Sequence, residues 1–354
     1  MKKTKSLSQN QPVEVGKTVD LIYQNIAEIL EESRRTAYRA VNFAMTQSYW
    51  HIGRVIVEEE QNGKNRADYG QFLIKELSKR LTTNFGKGFT RSNLFYMKQF
   101  YFLFPKVHAL RGELSWTHYR LLLKVQNEKA RQFYEAETVN SNWSSRELER
   151  QINSLLYERL AMSRDEKEVL QLSKEGQILR EPKDIIKDPF VLEFLDLPNN
   201  KNFLERDLEQ ALLDKLQNFL LELGKGFAFI ARQKRITIDG DHFYVDLVFY
   251  NYLLKCFVLI DLKLKKLRHE DIGKMDFYVR YFEKEEKPPS DNSTIGLILC
   301  SDKNDSMARY TLLEDSKQIF ASRYKIYLPT EDELRRELEK ERTQFEIEER
   351  LKNN

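Results

Sequence analysis

The stretch "YVDLVFYNYLLKCFVLIDLKLKK", residues 244–266, is the most apolar long run in a chain that is otherwise strongly charged. Its segments "YVDLVFY" and "CFVLIDLKL" have the length and composition of two strands of a sheet. The strands nevertheless contain Asp246, Asp261 and Lys263, although charged side chains are normally excluded from buried strands. The apolar residues predict the sheet, and the three charges need a separate explanation.

The three charges converge if the two strands form a hairpin around "NYLLK". Side chains alternate between the faces of a strand, so Asp246 and Asp261 can meet on one side of the sheet with Lys263 beside them. Two close carboxylates repel each other, and an isolated buried charge is costly. A divalent cation removes both penalties, because Mg²⁺ binds carboxylate oxygens together with water and substrate phosphate. The combination predicts metal-dependent phosphodiester hydrolysis, in which the lysine orients water or neutralises charge.

Two further residues fit this site. Glu209 lies three and four positions before Leu212 and Leu213, which places an acid on the apolar face of its helix, where it needs a positive partner. Gln233 ends the apolar segment "FAFIARQ", where it could bind a phosphate or a metal-bound water. A plainer alternative stays open for each residue alone, since Asp and Lys at strand ends are commonly solvated or paired with each other.

Length and composition narrow the class of protein. The 354 residues suffice for two domains with substantial cores, and a formal net charge of +3 permits basic patches without proving a nucleic-acid partner. Cys256 and Cys300 lie in apolar segments, which indicates reduced core cysteines rather than a disulfide framework. Two cysteines and five scattered histidines do not make a zinc site. Because no run approaches ~20 apolar residues, we expect no membrane partner and a cytoplasmic location.

The character of the chain changes along its length. We expect a disordered start (1–17), a helical DNA-binding domain (18–160), a polar linker (161–185), an α/β domain (186–330) and a charged C-terminal helix (331–354). In the α/β domain, a helix over 205–223 precedes strands at "FAFIARQ", "RITID" and the two segments quoted above. A second helix at "HEDIGKMDFYVRYFEKE" precedes strands at "TIGLILC" and "KIYLP". This order of helices and strands predicts a mixed sheet.

The N-terminal domain contains a candidate nucleic-acid-binding helix. The segment "FGKGFTRSNLFYMKQFYFLFP" has a glycine turn, a potential N-cap at Thr90 and then a helix, as in a helix-turn-helix motif. Several of its polar residues are types that contact phosphates and base edges. The predicted nucleic-acid contacts are Arg91, Asn93, Tyr96, Lys98 and Gln99, with Arg120 from "SWTHYRLLLK" and Lys274 from the helix after the Asp-x-Lys strand. An ordinary amphipathic helix with a solvated basic face is the open alternative.

These residues resemble a known nuclease family. Asp246, followed by Asp261-Leu262-Lys263 on the next strand, is similar to the PD-(D/E)XK signature, with Asp at the second acidic position where Glu is commoner. The context "FLLELGKGFAFIARQKRITIDGDHFYVDLVFYNYLLKCFVLIDLKL", with "GKMDFYVRYF" and "IGLILC" after it, resembles the YhcG family of that superfamily. The segments "YWHIGRVIVEEEQNGKNRADYG", "LSWTHYRLLLKV" and "SRELERQINSLLYERL" resemble the N-terminal domain of the same family, so the likeness covers nearly the whole chain.

The resemblance implies a two-domain α+β protein, with an all-α, helix-turn-helix-like N-terminal domain and a restriction-endonuclease-like α/β domain built on a mixed sheet. It implies Asp246, Asp261 and Lys263 as the catalytic core, and Glu209 and Gln233 as accessory residues. The implied ligands of Mg²⁺, or of Mn²⁺ in its place, are Asp246, Asp261 and Glu209.

We therefore expect a metal-dependent DNA endonuclease. An inactive DNA-binding or scaffolding protein that keeps the nuclease fold is the open alternative, and an RNA-directed nuclease differs only in its substrate. A preference for branched or modified DNA also stays open. So does a homodimer, which would supply the two active sites that cutting both strands of a duplex usually takes.

Overall fold

The computed structural model describes residues 11–62, 67–161, 166–197, 204–302, 318–330, 332–334 and 336. The chain divides into two compact units, one on each side of the bond between Lys124 and Val125, and each unit is described separately. The domain boundaries expected from the sequence stay predictions. Residues 1–10 of the expected disordered start and most of the expected C-terminal helix lie outside the described residues.

The described part of the first unit is helical. Its helices are α1 (Gln11–Asn62), α2 (Ala67–Phe85), α3 (Arg91–Leu103) and α4 (Trp116–Leu122). The side chain of Thr90 accepts a hydrogen bond from the main-chain N–H of Asn93, so Thr90 is the N-cap of α3. The helix buries Leu94, Met97 and Phe100, and α1 packs against it. This approach is close because a Cβ atom at Gly53 of α1 would overlap the main-chain carbonyl of Met97.

The second unit combines helices with a sheet. Its helices are α5 (Glu128–Asn140), α6 (Ser145–Asn153), α7 (Leu156–Ala161), α8 (Glu166–Glu175), α9 (Glu205–Asp214), α10 (Leu216–Leu223) and α11 (His269–Tyr281). Its strands are β1 (Phe190–Val191), β2 (Phe227–Ile238), β3 (Asp241–Asn251), β4 (Cys256–Lys266), β5 (Ile295–Asp302) and β6 (Ile319–Lys325). Part of the stretch expected to be a linker is therefore helix α8, which packs against α5.

The sheet is mixed, with the strand order β1-β6-β5-β4-β3-β2. Strands β2, β3 and β4 are antiparallel, and β4, β5, β6 and β1 are parallel. One apolar core packs between the sheet and helices α9 and α10, and a second packs between the other face and α11. A helical N-terminal region followed by a mixed α/β domain confirms the fold class expected from the sequence. Among the described residues, no helix is both long and apolar enough to span a membrane.

Three local expectations need correction. The segments "FAFIARQ" and "RITID" form the single strand β2, with no turn between them; its one register shift lies within "FAFIARQ", between Phe229 and Ala231. The helix expected over 205–223 is broken at Lys215 into α9 and α10. The final strand lies at "IFASRYK" and not at "KIYLP". Although "IFASRYK" is the less apolar of the two, it is the segment that pairs with both β5 and β1.

A buried ionic network joins α6 and α7 to α10. Glu222 is fully buried, and its carboxylate lies 2.5 Å from Arg159 Nη1 and 3.2 Å from Arg150 Nη1. Its Oε1 also accepts the main-chain N–H of Val191 at 2.9 Å, while Lys187 donates to the main-chain carbonyl of Glu222. Burial by itself would raise the pKa of Glu222, but the attraction of Arg159, Lys187 and Arg150 lowers that pKa to about 2. The carboxylate therefore stays ionised inside the protein.

Replacing Glu222 by glutamine is expected to lower the free energy of unfolding by about 3 kcal/mol, because three nearby cations, of which Arg159 and Lys187 are buried, lose their counter-charge. The matched control is Glu168→Gln, which removes an exposed ion pair with Lys183 and is expected to cost less than about 0.5 kcal/mol. Because the folded-state pKa of Glu222 lies below its ordinary value of 4.5, its contribution is full above pH 4.5 and is lost as the pH falls toward 2. Urea unfolding at pH 7 and pH 3 measures both effects, and a difference between Glu222→Gln and wild type that does not shrink in acid would contradict this account.

Candidate active site

The site lies where strands β3 and β4 separate. Their antiparallel ladder ends at the pair Leu247–Ile260, so Asp246 and Asp261 occupy the next position on each strand. The main-chain N–H of Leu262 donates to Asp246 Oδ2 at 2.8 Å, and this bond connects the two strands beyond the end of the ladder. Two carboxylates from neighbouring strands thus meet just beyond the ladder, within the apolar stretch 244–266.

A residue of β2 with a left-handed backbone conformation brings a third strand into the site. Gln233 has a φ of 43°, a left-handed conformation that non-glycine residues rarely adopt. Its Nε2 donates to Asp246 Oδ1 at 3.0 Å and to Glu209 Oε2 at 2.6 Å. One amide group therefore links the carboxylate of β3 to the buried carboxylate of α9. Backbone strain of this kind often marks a functional site, where surrounding contacts hold it in place.

Two ammonium groups contact Asp261, whose side chain is 1% exposed. Lys263 Nζ lies 2.7 Å from Oδ2, although its approach lacks the angle of a hydrogen bond, and Lys274 Nζ of α11 donates to Oδ1 at 3.3 Å. Lys274 also lies 5.3 Å from the centroid of the Tyr278 ring, and the Tyr278 hydroxyl donates to the carbonyl of Tyr244 at 2.7 Å. The second lysine is thus held over the strands by its own helix.

Close packing of α11 on β5 sets the position of Lys274. A Cβ atom at Gly296 of β5 would lie 2.6 Å from Met275 Cγ and 2.9 Å from Val279 Cγ2, so only glycine permits this approach. Met275 and Val279 are buried on the inner face of α11, and Lys274 precedes Met275 directly. The glycine therefore lets a lysine from the helix layer reach a carboxylate in the sheet.

The electrostatics of the cluster are tightly coupled. Burial, followed by repulsion from Asp261, raises the pKa of Asp246 to about 7, and the Leu262 N–H with the two lysines opposes this shift only in part. Burial alone would lower the pKa of each lysine, but attraction to Asp261 outweighs it and raises both. The protein therefore keeps its lysines charged while it leaves the second carboxylate, Asp246, incompletely compensated.

The carboxylates fit a divalent cation. Asp261 Oδ2 and Glu209 Oε1 are buried and accept no hydrogen bond; each is paired only through its charge, with Lys263 and with Arg232, in a site of hard oxygen donors. Among the described residues, no three His, Cys, Asp or Glu side chains converge as a complete ligand set. Mg²⁺ is usually bound by only one or two carboxylates and completes its shell with water and phosphate, so Asp246 and Asp261 suffice. The role of Glu209 as a ligand stays a prediction.

The structure brings all five residues of the expected catalytic set together. Asp246, Asp261 and Lys263 form the centre, and Gln233 and Glu209 extend it toward α9. Lys274, expected to contact nucleic acid, lies in the same cluster. Sequence reasoning did not find Arg232, whose Nε lies 3.3 Å from Glu209 Oε1 and supplies the positive partner that the buried acid needs. The only feature of the sequence that could have indicated Arg232 is its position directly before Gln233.

The other expected nucleic-acid contacts lie in the first unit, and several already have partners. Asn93 donates to the carbonyl of Gly88 and accepts from Trp116 Nε1, and Lys98 forms a 2.5 Å ion pair with Glu60. The guanidinium of Arg120 lies 4.8 Å from the centroid of the Tyr96 ring. The first unit also contains a cleft of about 1210 Å³ between α1, α2 and α3, lined in part by Arg91, Tyr96, Lys98, Gln99, Phe72 and Phe95. Asn93 and Arg120 therefore already make contacts within this unit, and their role in binding stays a prediction.

Comparisons with known proteins agree over both parts of the chain. Residues 183–339 match the YhcG PDDEXK nuclease domain, and residues 25–159 match the DUF1016 N-terminal domain. The chain is 39% identical over 360 residues to "Putative nuclease YhcG" of Escherichia coli (strain K12), covering 93% of this chain and 95% of that protein. The crystal structure of a repair endonuclease from Pyrococcus abyssi covers 36% of this chain and 50% of that chain at 20% identity, with a TM-score of 0.25, a likeness too low to support an argument. On its sequence and on the domains that it contains, the chain belongs to the YhcG family of the PD-(D/E)XK nuclease superfamily.

Proposed function

We propose that this protein is a divalent-metal-dependent endonuclease that hydrolyses phosphodiester bonds of DNA in the cytoplasm. The observation that supports it most is the pair of carboxylates Asp246 and Asp261 at the end of the β3–β4 ladder, with Lys263 and Lys274 beside them. Asp246 and Asp261 would hold Mg²⁺, or Mn²⁺ as its substitute, and Glu209 is the further candidate ligand. The bound cation supplies Lewis acidity toward the phosphodiester oxygens.

The side chains of the chain have separate tasks in this proposal. Lys263, part-buried and charged, orients the attacking water and offsets negative charge that grows on the phosphate. Lys274 is 39% exposed, which leaves its ammonium accessible to a phosphate oxygen from the solvent side of Asp261. Gln233 fixes the orientation of Asp246 by donating to one of its oxygens while Leu262 N–H occupies the other. Arg232 and Gln233 together hold Glu209 in place.

The cleft of the first unit is the proposed DNA contact. Arg91 and Lys75 on its walls are exposed cations, and Phe72 and Phe95 beside them are 64% and 52% exposed, so phosphates and bases would both find partners. An RNA substrate and an inactive DNA-binding protein remain the competing functions. One observation favours the inactive protein: both oxygens of Asp261 already lie beside ammonium groups.

Cleavage of supercoiled plasmid by the purified full chain tests the proposal. We expect nicked and linear products with Mg²⁺ or Mn²⁺, no products with EDTA, and weaker cleavage of a single-stranded RNA of equal length. Branched and modified DNA in parallel reactions would rank the substrates. DNA binding without cleavage in either metal would instead support the scaffolding function, and preferential cleavage of RNA would replace DNA as the substrate.

Arg91→Ala is expected to weaken DNA binding about tenfold at low salt, because it removes one phosphate contact from the cleft. The slope of log K against log salt should fall by about one, as expected for one lost contact. The matched control is Lys79→Ala, an exposed cation of α2 that is not among the cleft residues. Fluorescence anisotropy with a labelled duplex at several salt concentrations measures both quantities, and equal binding by the two variants would remove the cleft from the proposal.

A further inference from the structure

Helix α1 carries an apolar stripe that nothing in the described chain covers. From residue 19 to residue 41 every side chain is exposed except that of Ala27, which is half-buried. Ile26, Ile29 and Leu30 are 51%, 65% and 53% exposed, and Ile22 and Val41 extend the same surface. Helices in proteins gain most of their stability from packing an apolar face, and large exposed apolar patches mark interaction sites. The stripe is therefore a candidate surface for contact with another protein chain.

The spacing of the stripe is that of a helix that packs along another helix. Val19, Ile22, Ile26 and Ile29 follow each other at steps of three, four and three, and the same steps continue through Ser33, Thr36 and Ala40. This repeat of 3.5 residues defines the inner seam of a coiled coil. Leu30 and Ala37 widen the seam on one flank. A seam of this form fits an α-helix better than a sheet or a small ligand.

Size and charge along the stripe make it complementary to itself in the antiparallel direction. Its N-terminal half carries large side chains (Ile26, Ile29 and Leu30), and its C-terminal half carries Ala37, Ala40 and Ala44. An antiparallel pair places large residues against small ones, whereas a parallel pair would set large against large and leave voids between the alanines.

The flanking charges agree with this direction. Glu32 and Arg39 lie seven residues apart and so share one flank of the seam. In an antiparallel pair the same flank of both helices lies on one side, so Glu32 of each copy meets Arg39 of the other. A parallel pair would instead place both charges against the apolar flank of Leu30 and Ala37. Within one helix Glu32 already forms an ion pair with Arg35. That pair is exposed and therefore weak, so breaking it costs little when Glu32 pairs instead with Arg39 of the second copy.

We propose that α1 pairs in an antiparallel manner with α1 of a second copy of this chain, about a two-fold axis between Arg34 and Arg35, which sets Ile29 against Ala40 and Ser33 against Thr36. The overlap runs from Ile26 to Phe43, about 18 residues or about 27 Å of helix. Such a contact is isologous and closes at two copies, so it predicts a dimer and not a fibre. The inference rests on α1 alone and stands whether or not the proposed nuclease activity is correct.

Sedimentation velocity on the full chain tests the dimer. We expect a concentration-dependent dimer for wild type and a monomer, with at least a 100-fold weaker association, for the double variant Ile29→Glu/Leu30→Glu. The matched control is Gln24→Glu/Tyr38→Glu, which adds two carboxylates outside the seam of the same helix and should keep the wild-type mass. A monomeric wild type would overturn the proposal and assign the stripe to another protein, and equal masses for both double variants would also overturn it.

Exchanging the charges of Glu32 and Arg39 tests whether the two α1 helices run antiparallel. The test is valid even if a variant folds less well than wild type. Glu32→Arg and Arg39→Glu should each weaken self-association about tenfold, because each places like charges across the seam. An equimolar mixture of the two should restore dimers at close to the wild-type strength, which a merely misfolded variant cannot do. A mixture that stays monomeric would overturn the antiparallel pairing.

Disulfide trapping gives a second reading of the direction. Under mild oxidation Thr36→Cys should cross-link two copies, because this seam position lies within two residues of the two-fold axis. Ile26→Cys should not, since its two copies would lie roughly 26 Å apart along the helix axis. The native cysteines Cys256 and Cys300 are buried and do not interfere. Equal cross-linking at both positions would show a parallel pair and overturn the proposal.

Discussion

Asp261→Asn is expected to reduce DNA cleavage by a factor of at least about 10³, close to the background of the assay. The change removes the charge that balances Lys263 and Lys274 and that would hold the cation, while it keeps the size of the side chain. Asp276→Asn is the matched control, because it makes the same replacement at an exposed ion pair on α11 and should leave cleavage unchanged. Initial rates of plasmid nicking at saturating Mg²⁺ measure both variants.

A charge-preserving variant separates a lost site from a lost fold. Asp261→Glu restores the residue that is commoner at this position of the signature, and we expect cleavage within about tenfold of wild type. Thermal unfolding followed by circular dichroism shows whether Asp261→Asn remains folded. A folded Asp261→Asn protein that cleaves as fast as wild type would remove Asp261 from the mechanism.

Lys263→Met is expected to lower kcat about 10²–10³-fold with little change in KM, because the lost ammonium acts on charge that grows during the reaction. Methionine keeps most of the length and the apolar stem of lysine, and Lys274 still compensates Asp261. Lys266→Met on the same strand is the control, since Lys266 is half-exposed and lies 3.9 Å from Asp302 rather than at the site. Single-turnover cleavage measures the chemical step in both variants.

An equal loss of kcat in Lys263→Met and Lys266→Met would assign the effect to the general electrostatics of β4. A change confined to KM would place Lys263 in DNA binding. Only a loss in kcat that is specific to Lys263 supports its proposed role.

The sequence predicts the centre of the site because that centre depends on strand periodicity. Strands β3 and β4 are apolar enough to be recognised, and the alternation of side chains then brings Asp246 and Asp261 to one edge. Glu209 is also recognisable, since an acid on the apolar face of a helix requires a partner. What the sequence does not contain is the identity of that partner, Arg232, because the contact depends on the register between α9 and β2.

The remainder of the site depends on features that have no periodic signal. The left-handed conformation of Gln233 lets its one amide group donate to two carboxylates. In a sequence, glycine is the residue that indicates such a conformation, and a glutamine gives no such indication. Lys274 reaches Asp261 because α11 lies close to β5 over Gly296, a contact between elements far apart in the chain. The predicted position of β6 was wrong for the same reason. Ser322 and Arg323 make the true strand less apolar than "KIYLP", but the true strand is the one that pairs with β1 and β5, and this pairing cannot be read from composition.

The proposed mechanism depends on Asp246 and Asp261 holding a divalent cation together. Diffraction from crystals soaked in Mn²⁺, measured at the manganese absorption edge, locates such an ion directly. We expect an anomalous peak between the two carboxylates in wild type and no peak in Asp261→Asn. Crystals without a peak at this position, with Lys263 and Lys274 still bound to Asp261, would contradict it.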